Sequence, residues 1–184
     1  MIPLRTERLL LRGWTDSDRP AFADINADLR VMEFMPRHLS RAESDDFARR
    51  AQRQIDARGW GLWAVELRAD GQLVGCVGLA VPSFAAQFTP CVEIAWRLRR
   101  ASWGHGYATE AARECLRFAF DTLLLAEVVA FTVPANLRSR ALMERLGMVR
   151  NPGDDFDHPR LPPQHPLSRH VLYRLGRDAW CREP

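Results

Sequence analysis

The sequence predicts one domain in the α/β or α+β range, a mixed sheet with helices on its faces. Three observations carry that reading. The 184 residues fit a single domain, and 47% of them are hydrophobic, enough for a substantial core. Short β-rich runs alternate with longer stretches of helical period. No internal repeat or long linker divides the chain, so residues 1–184 read as one domain that includes a Pro-rich loop over 151–168.

The elements follow in order. Thr6 to Arg12 is a short strand. Asp16 or Ser17 is placed to cap a helix running to about Leu29. Ser40-Arg-Ala-Glu43 is a capping box that opens a helix to about Arg58, with Phe47, Ala51 and Ile55 at helical spacing and Gly59 ending it. The runs WGLWAVEL and QLVGCVGLA are strands joined at Asp70-Gly71, a strong hairpin signal. A fourth strand spans Cys91 to Arg99. A helix from about Gly106 to Leu124 presents Ala108, Ala112, Cys115, Leu116 and Ala119 as a small-residue apolar face. Val128 to Val133 is a fifth strand, Asn136 caps a short helix ending at Leu146-Gly147, and Arg169 to Leu175 is the last strand.

Composition excludes several classes. No run of 18 apolar residues is present, so no transmembrane helix is expected. The opening MIPLRTERLLLR places charge inside its apolar stretch, unlike a signal peptide. Cys76, Cys91, Cys115 and Cys181 show neither metal nor redox spacing, and read as free thiols of a cytoplasmic protein. All 26 basic residues are arginine, and the formal net charge is +3. An Arg-rich RNA-binding module is therefore a rival reading. The arginines alternate with carboxylates, as in Arg8, Arg12, Asp16 and Asp18, rather than forming a stripe with stacking aromatics, which disfavours nucleic acid.

The motif that carries chemistry is Trp103-Gly104-His105-Gly106-Tyr107-Ala108, between a strand and a helix. The first turn of a helix has backbone N–H groups without partners, and the helix dipole adds positive potential there. Glycines let an anion reach those amides without a Cβ in the way. The arrangement suits a phosphate or diphosphate. A dinucleotide fingerprint fits poorly, because Thr109 stands where its third glycine or alanine belongs and Glu127 starts its strand rather than ending it. A P-loop requires a lysine, which the chain lacks. A glycine-rich turn without a ligand is the bland alternative.

Here the residues resemble a known family. W-G-x-G-Y-A-T-E-A after VEIAWRL resembles the coenzyme A-binding segment of the GNAT N-acetyltransferases, in particular the branch that acetylates ribosomal-protein alanine N-termini. Trp103 replaces the Gln or Arg that usually opens the motif. LRTERLLLRGWTDSDRPAF and NLRSRALMERLGM resemble the same branch, so the likeness covers nearly the whole chain in order. The resemblance implies a GNAT-like, mostly antiparallel sheet of about six or seven strands flanked by about four helices, with the fourth and fifth strands splayed into a cleft. It implies acetyl-CoA as cosubstrate, no metal, and coenzyme contacts along Trp96, Arg97 and Leu98, from the amides of Gly104, His105, Gly106, Tyr107, Ala108 and Thr109, and from Asn136 and Ser139.

Acetyl transfer to an amine needs a held thioester, a neutral amine, a stabilised oxyanion and a proton for the leaving thiolate. Holding the reactants in line supplies about 7 kcal/mol or more in favourable cases. A backbone N–H of the splayed fourth strand is able to serve the oxyanion. Glu93, at the start of that strand, is the first candidate base; the alternative is an outward strand carboxylate. Many relatives protonate the thiolate with a tyrosine. Tyr107 lies in the glycine loop and Tyr173 in the last strand, so Ser139 is the candidate donor. His158 with Asp154, Asp155 and Asp157 either lines the acceptor site or is a solvated loop cluster. Trp60 and Trp63 flank the helix expected to wall the acceptor, so one of them is a candidate substrate contact. The acceptor is a primary amine, either a protein N-terminus or a small molecule; no membrane partner is expected, and a homodimer stays open. A catalytically silent coenzyme sensor is the rival of a different class.

Overall fold

A computed structural model describes residues 3–180. Cys76, Cys91 and Cys115 are free thiols, while Cys181 lies outside the described residues. The described chain forms nine strands and five α-helices, in two compact units.

The first unit comprises residues up to Leu79 together with Ala95–Cys115. Its strands are β1 (Leu4–Arg5), β2 (Leu9–Arg12), β3 (Leu62–Leu67), β4 (Leu73–Ala80) and most of β5 (Glu93–Leu98), adjacent in that order. The expected first strand is in fact a hairpin, because the Thr6 hydroxyl accepts from the Leu9 amide at 2.9 Å and turns the chain. β4 is buried along nearly its whole length and reads as a continuous apolar run rather than an alternation. Gly75 sits where any Cβ would strike the Arg97 carbonyl, which lets β4 and β5 approach closely.

Helices α1 (Arg19–Ala27), α2 (Arg41–Arg58) and α3 (Tyr107–Arg117) complete this unit. Asp16–Asp18 forms a 3₁₀ turn capped by Thr15, not by Asp16 or Ser17, and α1 starts after it. The Ser40–Glu43 box opens α2 as expected, and Gly59 closes it in the left-handed region at φ 81°. In α3 the buried stripe runs through Ala111, Ala112 and Cys115, whereas Ala108 is half-exposed. The α-helix stops at Arg117 and continues as a wider π turn over Phe118–Thr122, short of the expected Leu124.

The second unit comprises Ala80–Ile94 and the chain from Leu116 onward. Here β6 (Glu127–Thr132) pairs antiparallel with β9 (Arg169–Gly176) over six positions, from Glu127 with Gly176 to Thr132 with Val171. The short strands β7 (Val149–Arg150) and β8 (Phe156–Asp157) also pair with β9, and α4 (Leu137–Arg145) and α5 (Arg177–Trp180) complete the unit. The first residue of β5 pairs with β6 in parallel at one position only, Glu93 with Val129, supported by a 2.9 Å bond from the Val129 amide to the Val92 carbonyl. These are the fourth and fifth strands of the sequence reading. The strand count exceeds six or seven because β1, β7 and β8 are two-residue strands too short to leave a period in the sequence.

Candidate active site

In the first unit, Gly104 and Gly106 hold φ angles of 81° and 79°, the left-handed region that favours glycine. They turn the chain into α3, and residues 104–106 are exposed. The first backbone bond of the helix runs from the Glu110 amide to the Gly106 carbonyl at 3.0 Å. The amides of Tyr107, Ala108 and Thr109 therefore precede the first helical donor and have no acceptor within the helix. A Cβ at Gly104 would meet nothing within 4 Å, so the turn faces open space. Such a turn can hold a diphosphate on its amides.

Two features absent from the sequence reading fasten this turn. Arg8 lies 2.6 Å from Glu110, donates to the His105 carbonyl at 3.0 Å, and covers the Tyr107 ring at 4.7 Å. Trp103 donates its indole N–H to the Leu98 carbonyl at 2.9 Å, tying the loop to the end of β5. That bond gives a physical role to the tryptophan at the head of the motif.

β5 alternates, placing Ile94, Trp96 and Leu98 on one face and Glu93, Ala95 and Arg97 on the other. The Arg97 side chain lines a cavity of about 550 Å³ with Met32, Met35, Leu39 and Phe47. Its Nη1 donates to Asn26 Oδ1 at 2.5 Å, and Asn26, fully buried, donates in turn to Ser44. Neither the cavity nor the depth of Arg97 was legible beforehand. Trp63 is fully buried in the core, and the Arg58 guanidinium lies over the part-exposed Trp60 ring at 5.6 Å.

In the second unit, Glu93 is part-exposed by surface area, yet burial of its carboxyl pushes it up to about 8. A carboxyl there is tuned to exchange protons near neutral pH. Asn136 caps α4: its Oδ1 accepts from the Ser139 amide at 3.3 Å, and its Nδ2 donates to Thr132 Oγ1 at 3.0 Å. Ser139 sits on the first turn, half-buried. Tyr173 donates to Glu144 at 2.8 Å, in keeping with a structural role.

The Pro-rich loop divides differently from either expectation. Asp155 pairs with Arg150, and Asp154 meets Arg174 at 2.8 Å, so both acids fasten the loop to strands. His158 joins Phe84, Phe88, Phe131, Phe156 and His170 in an aromatic cluster, with Phe84 at 4.7 Å and His170 at 5.1 Å. Burial lowers the pKa of both histidines, which keeps them neutral near pH 7. Among the described residues no group of three or more acids, histidines or cysteines is placed to hold a metal, and no helix is long and apolar enough to cross a membrane.

The glycine turn at the head of α3 offers amides without helical partners, an arrangement suited to a diphosphate. The model of the acetyltransferase (GNAT) domain matches residues 8–149, and the chain belongs to that family, N-acetyltransferases that draw the acetyl group from acetyl-CoA. The Bacillus subtilis protein YkkB is 30% identical over 146 residues, which are 79% of this chain and 84% of that protein. The FsC-acetyl coenzyme A-N(2)-transacetylase of Aspergillus fumigatus is 37% identical over 131 residues, 67% of this chain and 53% of that protein, so the match spans about half of its length. The solved ribosomal-protein-S5-alanine acetyltransferase of Vibrio fischeri shares the fold over 100% of both chains, with a TM-score of 0.75 at 16% identity.

Proposed function

We propose that this chain moves an acetyl group from acetyl-CoA to a primary amine by direct attack, with both substrates bound together. When bound, acetyl-CoA supplies the activated thioester. The amides of Gly104 to Thr109 hold its diphosphate, and β5 from Trp96 to Leu98 presents backbone to the pantetheine arm. Leu98 offers its amide side there, since Trp103 takes its carbonyl. Glu93, as carboxylate, takes the proton that the amine releases when its nitrogen bonds to the acetyl carbon. Ser139 gives a proton to the departing sulfur, directly or through water, and Asn136 fixes the turn on which Ser139 stands.

The single observation that carries the reading is the glycine turn at the head of α3, Gly104 and Gly106 in the left-handed region before amides with no helical partner, in a chain whose residues 8–149 match the acetyltransferase (GNAT) domain. The Glu93 carboxyl, pushed up to about 8 by burial, adds a base. A model α-amine titrates at about 7.7–8.0, so base and amine are matched for transfer near neutral pH. The N(2)-transacetylase relative supports a nitrogen acceptor. Free-thiol release from acetyl-CoA, run against a panel of primary amines with mass analysis of the products, tests the reading. Amine-dependent release with acetylated product supports it. Tight coenzyme binding without turnover of any amine would leave a sensor instead.

A further inference from the structure

We infer that the cavity of the first unit is the acceptor pocket and that Arg97 is its anion-recognition residue, so that the acceptor is a small amine that also carries a carboxylate. The inference rests on the acetyl-transfer reading above and names its substrate class. It begins with a charge account. Arg37 and Glu43 on the cavity rim meet at 2.5 Å, and Asp46 pairs with Arg50. Arg97 is left over: among the described residues its guanidinium meets only neutral groups. These are the Asn26 amide oxygen at 2.5 Å, the Met35 sulfur at 3.8 Å and the Phe47 ring at 5.3 Å. Its Nε is buried with no hydrogen-bond partner.

Arg97 is half-buried, with its Nε wholly buried. A guanidinium held partly out of water without a counter-ion is costly, and it carries five donors in a rigid fork shaped for a carboxylate. A neutral side chain at position 97 would fill the same space without that cost. The charge is therefore explained by something that arrives. The volume, about 550 Å³, lies within the range of small-molecule pockets. Met32, Met35, Leu39 and Phe47 offer an adaptable apolar wall for the body of such an acceptor. Arg97 also stands between Trp96 and Leu98 on the strand assigned to the pantetheine arm, which is where an acceptor has to be presented.

The test compares matched acceptors, L-phenylalanine with L-phenylalaninamide and L-methionine with L-methioninamide, in wild type, Arg97→Gln and Arg97→Lys. Wild type is expected to favour the acid by about tenfold or more in kcat/KM, the scale of a charge-assisted bond. Arg97→Gln abolishes that preference and Arg97→Lys keeps part of it. Binding of 3-phenylpropionate, a carboxylate without an amine, supplies a readout that needs no turnover: wild type is stabilised thermally and Arg97→Gln is not. Equal use of acid and amide by wild type overturns the proposal, as does Arg97-independent binding of the carboxylate. Arg97-dependent binding of the carboxylate with no amine acetylated would instead sink the acetyl-transfer reading and leave the anion site standing.

Discussion

Arg8, the last residue of the bend between β1 and β2, closes on Glu110 of α3 at 2.6 Å. The same carboxylate accepts from the Thr6 hydroxyl at 2.5 Å and from the Arg8 amide at 2.9 Å. One acid thus binds the N-terminal hairpin to the head of the helix that follows the glycine turn. Burial alone would raise the Glu110 pKa, but the bonds from Thr6 and Arg8 outweigh it and hold the carboxyl below its usual range. Its contribution to stability is therefore present above the unfolded carboxyl value, near 4.3, and is lost as pH falls through the depressed folded value. Arg8 is 45% exposed on its side chain, so solvent screens much of the pair. Arg8→Ala is expected to cost about 1 kcal/mol at pH 7, or about 2–4 °C of melting temperature. Calorimetric melts at pH 7 and pH 3 check this, the difference narrowing at the acid end.

Glu93 gives the opposite pH sign. Its carboxyl is raised from the ordinary value to about 8 by burial. The native state holds the proton longer than the unfolded chain does, so stability falls as pH rises from about 4.5 to about 8. Glu93→Gln should melt with wild type near pH 4.5 and several degrees above it at pH 9. In kinetics the sign reverses, because the carboxylate is the working form. With an acceptor amine titrating below about pH 6, kcat should climb through about pH 8 in wild type. In Glu93→Gln it should fall about 100-fold and lose that rise. A flat wild-type profile would remove Glu93 as base.

The glycine turn predicts a split between stability and binding. Gly104 has φ 81° but open space around its would-be Cβ. Gly104→Val should cost about 1–2 kcal/mol from the strained backbone. It should weaken coenzyme A about tenfold or more, because the branched side chain stands over the amides. Titration calorimetry with coenzyme A and thermal melts separate the two effects.

Asn136 is engaged at both ends of its amide, by the Ser139 N–H and by Thr132. Asn136→Ala should cost about 1 kcal/mol of stability through the lost cap. Because it loosens the turn that carries Ser139, kcat should fall while KM for the amine stays constant. Asn136→Asp, which keeps the cap acceptor, should restore most of the stability. Melts and steady-state kinetics of the pair check both parts.

Features legible in the sequence were local ones. Ser40 and Glu43 sit three residues apart, Gly59 follows its helix directly, and Gly104 and Gly106 announce a turn by their lack of a Cβ. What escaped was assembled at long range. Nothing in the order of residues brings Arg8 to Glu110, or Arg97 to Asn26 and the segment around Met32 and Met35. His158 and Asp155 look alike as polar loop residues, yet one enters an aromatic cluster and the other clamps Arg150. The abundance of arginine also misleads until pairing is seen: Arg12 lies between Asp18 and Glu66, and Arg174 between Glu127 and Asp154.

The central claim is that peptide amides at the mouth of α3 grip the diphosphate of the acetyl donor. Side-by-side calorimetric titration with coenzyme A and with pantetheine, which has the thiol arm but no diphosphate, tests it most directly. The account predicts saturable heat with coenzyme A and affinity for pantetheine lower by about 100-fold, the scale of losing charge-assisted bonds to phosphate. Equal affinity for the two, or no heat with coenzyme A, would contradict it.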